Sequence, residues 1–357
     1  MTHAGAIEWL ESLSPWPADG FGLDRMRALL RELGDPQRQY PAVHIVGTNG
    51  KSTATRTIEA LLLADGLSVG ATISPHVRSW GERITLDGEE ADVAGAVERV
   101  RPAAERLAAT QFETITAAAL AAFAQRKVDV AVVEAGLGGR LDATNVLRTR
   151  VVLLTNVGLD HTDVLGTTRE AIAAEKLAVA PPGAVVVLPD SEFADVVPGR
   201  DIEIGAAREA AEAFVGRPLV HDADVSLPGR LERRGHGEIR DGAHNSDGVR
   251  WLLERLEHKQ YVIVASVLAD KDVDAMLATL ARAGRTFVAT KSSSSRALSA
   301  GRLAVRAARV FEQVEAVPDP VAALARAHEL GSPVLVTGSL YLLADLEARE
   351  RETAWDA

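Results

Sequence analysis

The 357-residue chain contains no cysteine. That excludes disulfides, thiolate nucleophiles and Cys-ligated zinc or iron–sulfur centres. A cysteine-free chain fits a reducing compartment, and a cytoplasmic location is expected. An excess of positive charge is lacking too. The 39 Lys and Arg stand against 50 Asp and Glu, a balance of −11, so binding to nucleic acid or an anionic membrane through bulk charge is not expected. No stretch reaches about 18 apolar residues without a charge, so no membrane span is expected. Met1 to Leu13 carries Glu8 and Glu11 and has no basic flank before an apolar run, which does not read as a signal peptide.

What is present is ordinary globular material, 47% hydrophobic and 25% charged. At about 150 residues per domain the length points to two domains. Ile7 to Leu33 reads as two short helices broken at Pro15–Gly22, the second beginning at Phe21. From Ala42 onward, strands and helices alternate. Ala42–Val43–His44–Ile45–Val46 is a β-branched apolar run, and Ala54 to Ala64 has helical spacing. Ser68 to Ile73 reads as a strand, Phe112 to Arg126 as a helix and Val128 to Val133 as a buried strand ending at Glu134. Val151 to Val157, Thr168 to Ala178 and Ala184 to Leu188 continue as strand, helix and strand. Such alternation implies a parallel sheet with helices on both faces, and ligands off the carboxyl ends of its strands.

The pattern weakens between Ile204 and Val225, which sets a domain boundary near Asp224. Beyond it, Glu238 to Arg240, Tyr261 to Val267, Thr286 to Thr290 and Val334 to Thr337 read as strands with helices between. No internal repeat is found.

The polar clusters fall at strand ends. Gly47–Thr48–Asn49–Gly50–Lys51–Ser52–Thr53 lies between a strand and a helix. Glycines let backbone N–H groups face one anion, the helix N-terminus adds positive potential, and lysine and hydroxyl serve phosphate and magnesium. Full Walker A spacing would place glycine at position 45, where Ile45 stands, so this is a shortened phosphate loop. Ser74–Pro75–His76 and Glu82–Arg83 follow the next strand; a turn or cap serine is the plain alternative there. Glu134 leaves a buried strand into Ala135–Gly136–Leu137–Gly138–Gly139–Arg140–Leu141–Asp142, reading as a magnesium ligand beside backbone room for a phosphate, or as a charged strand end. Leu159–Asp160–His161 ends another strand, and a lone His is most simply structural, since magnesium prefers oxygen ligands. Lys176, after Glu175, is most simply an exposed or paired lysine. Asp241–Gly242–Ala243–His244–Asn245 either aims Asp241 and His244 at one ligand or caps a helix. Lys271–Asp272 and Thr337–Gly338–Ser339–Leu340–Tyr341 sit at later strand ends.

In their order, from about Phe21 to Leu346, these segments together with Ala143–Thr144–Asn145 and Leu227–Pro228–Gly229–Arg230 resemble the folylpolyglutamate synthase/dihydrofolate synthase branch of the Mur ligases. The resemblance implies a P-loop parallel-sheet ATPase domain over 1–224, followed by a smaller Rossmann-like α/β domain, the glutamate-ligase domain, over 225–357. It implies that ATP phosphorylates a carboxylate of a pteroate or folyl-glutamate and that the amine of L-glutamate attacks the acyl phosphate. Dihydropteroate or (tetrahydro)folate, L-glutamate, ATP and Mg2+ would be the partners, with no nucleic acid or membrane, and a monomer whose domains close over the substrates.

Residue by residue, the resemblance assigns the nucleotide to Thr48, Asn49, Gly50, Lys51, Ser52 and Thr53, with Arg230 and Asp241 reaching it from the second domain. Ser74, Glu134 and His161 look like the magnesium set. Lys176 resembles a lysine that is carbamylated in the family and would then hold a second metal. Lys51, Glu134, His161, Lys176 and His244 would carry the chemistry. Arg83, Phe112, Leu141 and Asp142 match acid-substrate contacts, and Asp241, His244 and Ser339 lie where glutamate would be held.

The chain departs from the family pattern at four places. Ser52 follows the loop lysine where the folate branch has glycine. A His-Gln followed by asparagine is missing from Ile204 to Phe214, Ser246 replaces a proline after Asn245, and the stretch between Pro181 and Pro228 is short. Two alternatives therefore remain: a Mur-type ligase joining a different acid and amine, and a nucleotide-binding relative without ligation.

Overall fold

The computed structural model describes residues 3–17, 20–257 and 260–355, and the chain divides into two units, Met1–Val225 and Ser226–Ala357. In the first unit α1 (His3–Ser12) and α2 (Asp24–Glu32) precede β1 (Ala42–Val46), α3 (Lys51–Ala64), β2 (Val69–Thr72), β3 (Ile84–Leu86), β4 (Glu89–Glu90), α4 (Val93–Arg106) and α5 (Gln111–Arg126). Then come β5 (Val130–Glu134), β6 (Thr149–Leu154), α6 (Thr162–Leu165), α7 (Arg169–Leu177), β7 (Val185–Leu188), β8 (Asp201–Ile204) and α8 (Ala207–Val215).

The eight strands form one sheet in the order β4-β3-β2-β5-β1-β6-β7-β8. β2, β5, β1, β6, β7 and β8 run parallel. The central strands β5 and β1 are buried at every position and apolar except for His44 and Glu134, because both faces are covered. Side chains alternate across the sheet: Val43 and Ile45 pack with Ile58, Leu61 and Leu62 of α3 and Ala210 and Phe214 of α8. Ala42 and Val133 pack on the other face with Leu120 and Phe123 of α5, and Val46 with Ile172 and Leu177 of α7. Phosphate-loop candidates, Ser74, Glu134 and Asn156 therefore all emerge at the carboxyl edge of adjacent strands.

In the second unit β9 (Glu232–Arg233), β10 (Glu238–Arg240), α9 (Ser246–Leu253), β11 (Val262–Ala265), α10 (Val273–Leu280), β12 (Thr286–Ala289), α11 (Ala300–Ala307), β13 (Gln313–Ala316), α12 (Pro320–Leu330), β14 (Val334–Thr337) and α13 (Leu340–Trp355) follow in sequence. Its sheet order is β13-β12-β11-β14-β10-β9, parallel except for β9.

The structure corrects the sequence reading in several places. The sheets are mixed: β3 runs antiparallel to β2 and β4, and β9 to β10. The weak stretch after Ile204 holds the helix α8, and β8 lies just before it. β8 is exposed at all four positions, so as an edge strand it carries no burial pattern to read. β13 is likewise a four-residue edge strand, with no residue fully buried. The second helix starts at Asp24, not Phe21, which is 43% exposed. No helix among the described residues is long and apolar enough to cross a membrane.

Candidate active site

β1 feeds straight into the phosphate-loop candidate, and α3 begins at Lys51, earlier than its hydrophobic spacing indicated. Gly50 caps α3 at φ +81°, a conformation in which glycine is unstrained, and no side chain caps the helix. The first turn of α3, Lys51–Ser52–Thr53, therefore keeps backbone N–H groups for a ligand. Lys51 folds back over the loop, its Nζ donating to the carbonyls of Gly47 (3.1 Å) and Thr48 (3.3 Å).

The segment after β6 braces this loop. Asn156 accepts the Asn49 N–H (3.0 Å) and donates to the Asn49 carbonyl (3.1 Å). Thr155 Oγ1 donates to that same carbonyl at 2.7 Å, and Gly158 N–H donates to Thr48 Oγ1 at 3.0 Å. Thr155 and Asn156 were missed in sequence reading. Their signal is topological, because β6 neighbours β1 and a polar pair at its end must meet the loop after β1.

Lys176 is not an exposed lysine. It is 4% exposed on α7, and its Nζ donates to the Gly47 carbonyl at 2.9 Å. Burial chiefly, and then the Lys51 charge, push its amine down to about 7, against the pull of Asp160, Asp142 and Glu175. α7 is brought this close by Gly139: a Cβ there would lie 2.4 Å from the Lys176 carbonyl oxygen. Arg140 N–H donates to the Glu175 carbonyl beside it, 3.1 Å away.

Ser74 and Glu134 stand together, Ser74 N–H donating to Glu134 Oε2 at 3.1 Å, with Glu134 buried. A hydroxyl and a carboxylate suit magnesium, which keeps water and phosphate oxygens for its remaining positions. His161 sits at the turn opening α6, at φ +50°, with Nε2 4.0 Å from Asp160 Oδ1. Among the described residues, no three His, Asp or Glu side chains group as a metal-holding cluster.

Around this edge, Arg83 Nε donates to His76 Nδ1 (2.9 Å) and its guanidinium lies 4.5 Å from the Trp80 ring. Glu82 is spent within its own turn, accepting the N–H groups of Val77 and Ser79 at 3.2 and 2.8 Å. Phe112, at the start of α5, lies over Gly136, where a Cβ would meet the ring at 2.5 Å. Leu141 is 44% exposed, whereas its neighbour Asp142 is buried with its carboxylate turned into the loop.

In the second unit, Asp241, His244 and Ser339 lie beyond the adjacent strands β10 and β14. Asp241 accepts the N–H groups of Leu231 (2.7 Å) and Ala243 (2.9 Å), and burial raises its pKa against the Arg230 charge and these bonds. His244 Nδ1 lies 2.8 Å from the Gly242 carbonyl, and Ser339 Oγ accepts the Tyr341 N–H at 3.1 Å. The cap of α9 is Asn245, which accepts the Gly248 N–H, and not Asp241. Arg230 Nη1 donates to the Gly229 carbonyl at 3.2 Å.

A lysine folded over a strand-to-helix loop, followed by a second α/β unit, is the arrangement of a Mur ligase. Residues 45–197 match the Mur ligase middle domain and residues 229–340 the Mur ligase glutamate ligase domain. The chain is 34% identical to the dihydrofolate synthase/folylpolyglutamate synthase of Mycobacterium tuberculosis over 83% of its own length and 80% of the relative's. It superposes on E. coli FolC in complex with DHPP and ADP with TM-score 0.88 and 26% identity, covering 100% of this chain and 99% of the other. On the Yersinia pestis bifunctional folylpolyglutamate synthase/dihydrofolate synthase with Mn, AMPPNP and L-glutamate bound, the TM-score is 0.86 at 29% identity, covering 98% of each chain. The chain belongs to the dihydrofolate synthase/folylpolyglutamate synthase family.

Proposed function

We propose that this chain is an ATP-dependent ligase that forms an amide between L-glutamate and the carboxylate of a pteroate or folyl-glutamate. The observation that carries the reading is the convergence of Lys51 and Lys176 on a loop whose helix N-terminus is uncapped. The Lys51 ammonium and the N–H groups of that first turn suit a bound polyphosphate, while Lys176 lies within the field of Asp160, Asp142 and Glu175.

A carboxylate resists attack by an amine until one oxygen becomes a leaving group. Transfer of the γ-phosphoryl group from ATP to that oxygen gives an acyl phosphate and ADP. The glutamate nitrogen then forms the C–N bond, the C–O bond to phosphate breaks, and the nitrogen loses a proton. Positioning and charge neutralisation dominate such a transfer. Lys51 and the first N–H groups of α3 bind and neutralise the phosphates, while Thr48, Asn49, Ser52 and Thr53 shape the loop. Ser74 and Glu134, with His161, would hold magnesium, whose charge would offset that of the phosphate oxygens. Arg83, Phe112, Leu141 and Asp142 receive the acid substrate. Asp241, His244 and Ser339 hold glutamate.

Lys176 carries a carbamate in the working enzyme: its neutral amine attacks CO2, a C–N bond forms and one proton leaves. The product is an anion, which relieves the repulsion with Lys51. A cytoplasmic location fits the cysteine-free chain.

The test is a substrate panel on the purified chain: dihydropteroate and tetrahydrofolate, each with ATP, magnesium and L-glutamate, read by product mass. A glutamylated product in at least one arm is expected. ATP cleavage that needs neither acid would overturn the reading.

A further inference from the structure

The acid-substrate assignment leaves unexplained a fully buried histidine in the strand that carries the phosphate loop. His44 Nε2 lies 2.8 Å from Thr144 Oγ1, and Thr144 Oγ1 donates to Asp142 Oδ1 at 2.5 Å. Asp142 also accepts the Thr144 N–H at 3.0 Å and, through Oδ2, the Leu137 N–H at 2.7 Å. An ionised carboxylate only accepts, so the single hydroxyl proton of Thr144 goes to Asp142. Thr144 Oγ1 must then accept from His44, which places the ring proton on Nε2.

Nδ1 is left bare, and it has no partner. Burial keeps the ring neutral, with a pKa near 3. A buried polar atom without a partner is costly, and an apolar side chain at position 44 would avoid that cost. What the histidine supplies in return is the Nε2–H donor at the head of this chain.

The chain of bonds ends at a carboxylate with about four acceptor positions, three of them filled by the bonds above. We infer that His44, acting through the Thr144 hydroxyl, is a positioning residue that aims the remaining lone pair of Asp142 at an N–H donor on the pterin ring of the acid substrate. The inference rests on the reading of Asp142 as a contact for that substrate. β1 thus serves two ligands: its end leads into the phosphate loop, while His44 sets the acid pocket.

The experiment is steady-state kinetics on the full chain, with KM measured separately for dihydropteroate, ATP and L-glutamate, alongside thermal midpoints. His44→Phe and Thr144→Val are expected to raise KM for dihydropteroate about tenfold, as misplacement of a contact does, with the other two constants unmoved. His44→Gln and Thr144→Ser, which keep a donor and a hydroxyl, are expected to recover most of the affinity. In an Asp142→Asn background, His44→Phe should add less than about twofold, because coupled residues are not additive.

If Asp142→Asn leaves KM for dihydropteroate unchanged, the substrate reading falls and the inference with it. If Asp142→Asn raises KM while His44→Phe and Thr144→Val do not, only the positioning role falls. A parallel rise in all three constants would show mere destabilisation and overturn it. Should His44→Phe fail to fold, the contrast of Thr144→Val with Thr144→Ser decides the matter.

Discussion

Lys51 and Lys176 converge on one atom: their Nζ groups lie 3.1 and 2.9 Å from the Gly47 carbonyl oxygen. One lysine comes from the first turn of α3 and the other from the end of α7. Two cations sharing one neutral acceptor repel each other, and burial denies Lys176 the water that would screen the repulsion. An anion placed there relieves both charges, and a carboxylate built on Lys176 removes one of them.

Lys51→Ala is expected to lower turnover about 100-fold or more, since a preorganised charge on the transferring group is lost. Initial rates of phosphate release at saturating glutamate and acid check this. Near-normal turnover would remove the loop from the nucleotide site.

Lys176 gives a signed pH dependence. Its native pKa of about 7 lies below the ordinary lysine value of 10.5. Between those two values the unfolded chain holds more protons than the native chain, so this group's contribution to stability rises with pH. Below about 7 both states carry the proton, and the slope from this group vanishes. In bicarbonate-free buffer, wild type should gain stability over Lys176→Met between pH 7 and 9, at up to about 1.4 kcal/mol per pH unit. Urea unfolding at several pH values reads it, and parallel curves for the two proteins would contradict it. Adding bicarbonate should raise the activity of wild type and leave the variant unchanged, with the carboxylated lysine visible by intact mass.

Much of this site is legible in the chain itself. Glycines and a lysine between an apolar run and a helix mark the phosphate loop, and Glu134 declares itself as an acid at the tip of a buried strand. What resisted reading depends on tertiary placement. Lys176 looks like a surface lysine because its helix shows only Ile172, Ala173 and Leu177 as buried apolar partners; its burial follows from Gly139 letting α7 approach. Asn156 and His44 act across neighbouring strands, and no local pattern encodes which strands are neighbours. β8 and β13 went unseen because Asp-Ile-Glu-Ile and Gln-Val-Glu-Ala alternate over only four residues each, too short a run to stand out from a loop.

Glu134 and Ser74 separate by charge. Glu134→Gln keeps the size and an acceptor for the Ser74 N–H, but removes the negative charge magnesium requires. The magnesium concentration for half-maximal rate is expected to rise at least about tenfold, in line with changes around metal sites. Ser74→Ala removes a neutral donor atom and should shift the midpoint less. Chelation by EDTA should abolish turnover of wild type, with excess magnesium restoring it. An unshifted magnesium dependence in Glu134→Gln would take that carboxylate out of the metal site.

Two glycine substitutions test the geometry by different physics. At Gly139 an added methyl meets backbone: the carbonyl oxygens of Lys176 at 2.4 Å and Glu175 at 2.7 Å. Neither atom can yield unless α7 moves, and overpacking of this kind costs roughly 1–3 kcal/mol. At Gly50 a methyl meets nothing within 4 Å, but φ is +81°, a left-handed strain of about 1–2 kcal/mol for an L side chain. Gly139→Ala should therefore shift α7 and cut kcat, by about 100-fold if Lys176 moves by an ångström. It should also carry the Lys176 amine back toward the ordinary lysine range, because a displaced amine regains water. Gly50→Ala should instead raise KM for ATP, since the strain falls on the loop that cradles the phosphates, and leave the Lys176-dependent pH slope intact. Matching kinetic profiles for the two variants would mean that Gly139 does not set the position of Lys176.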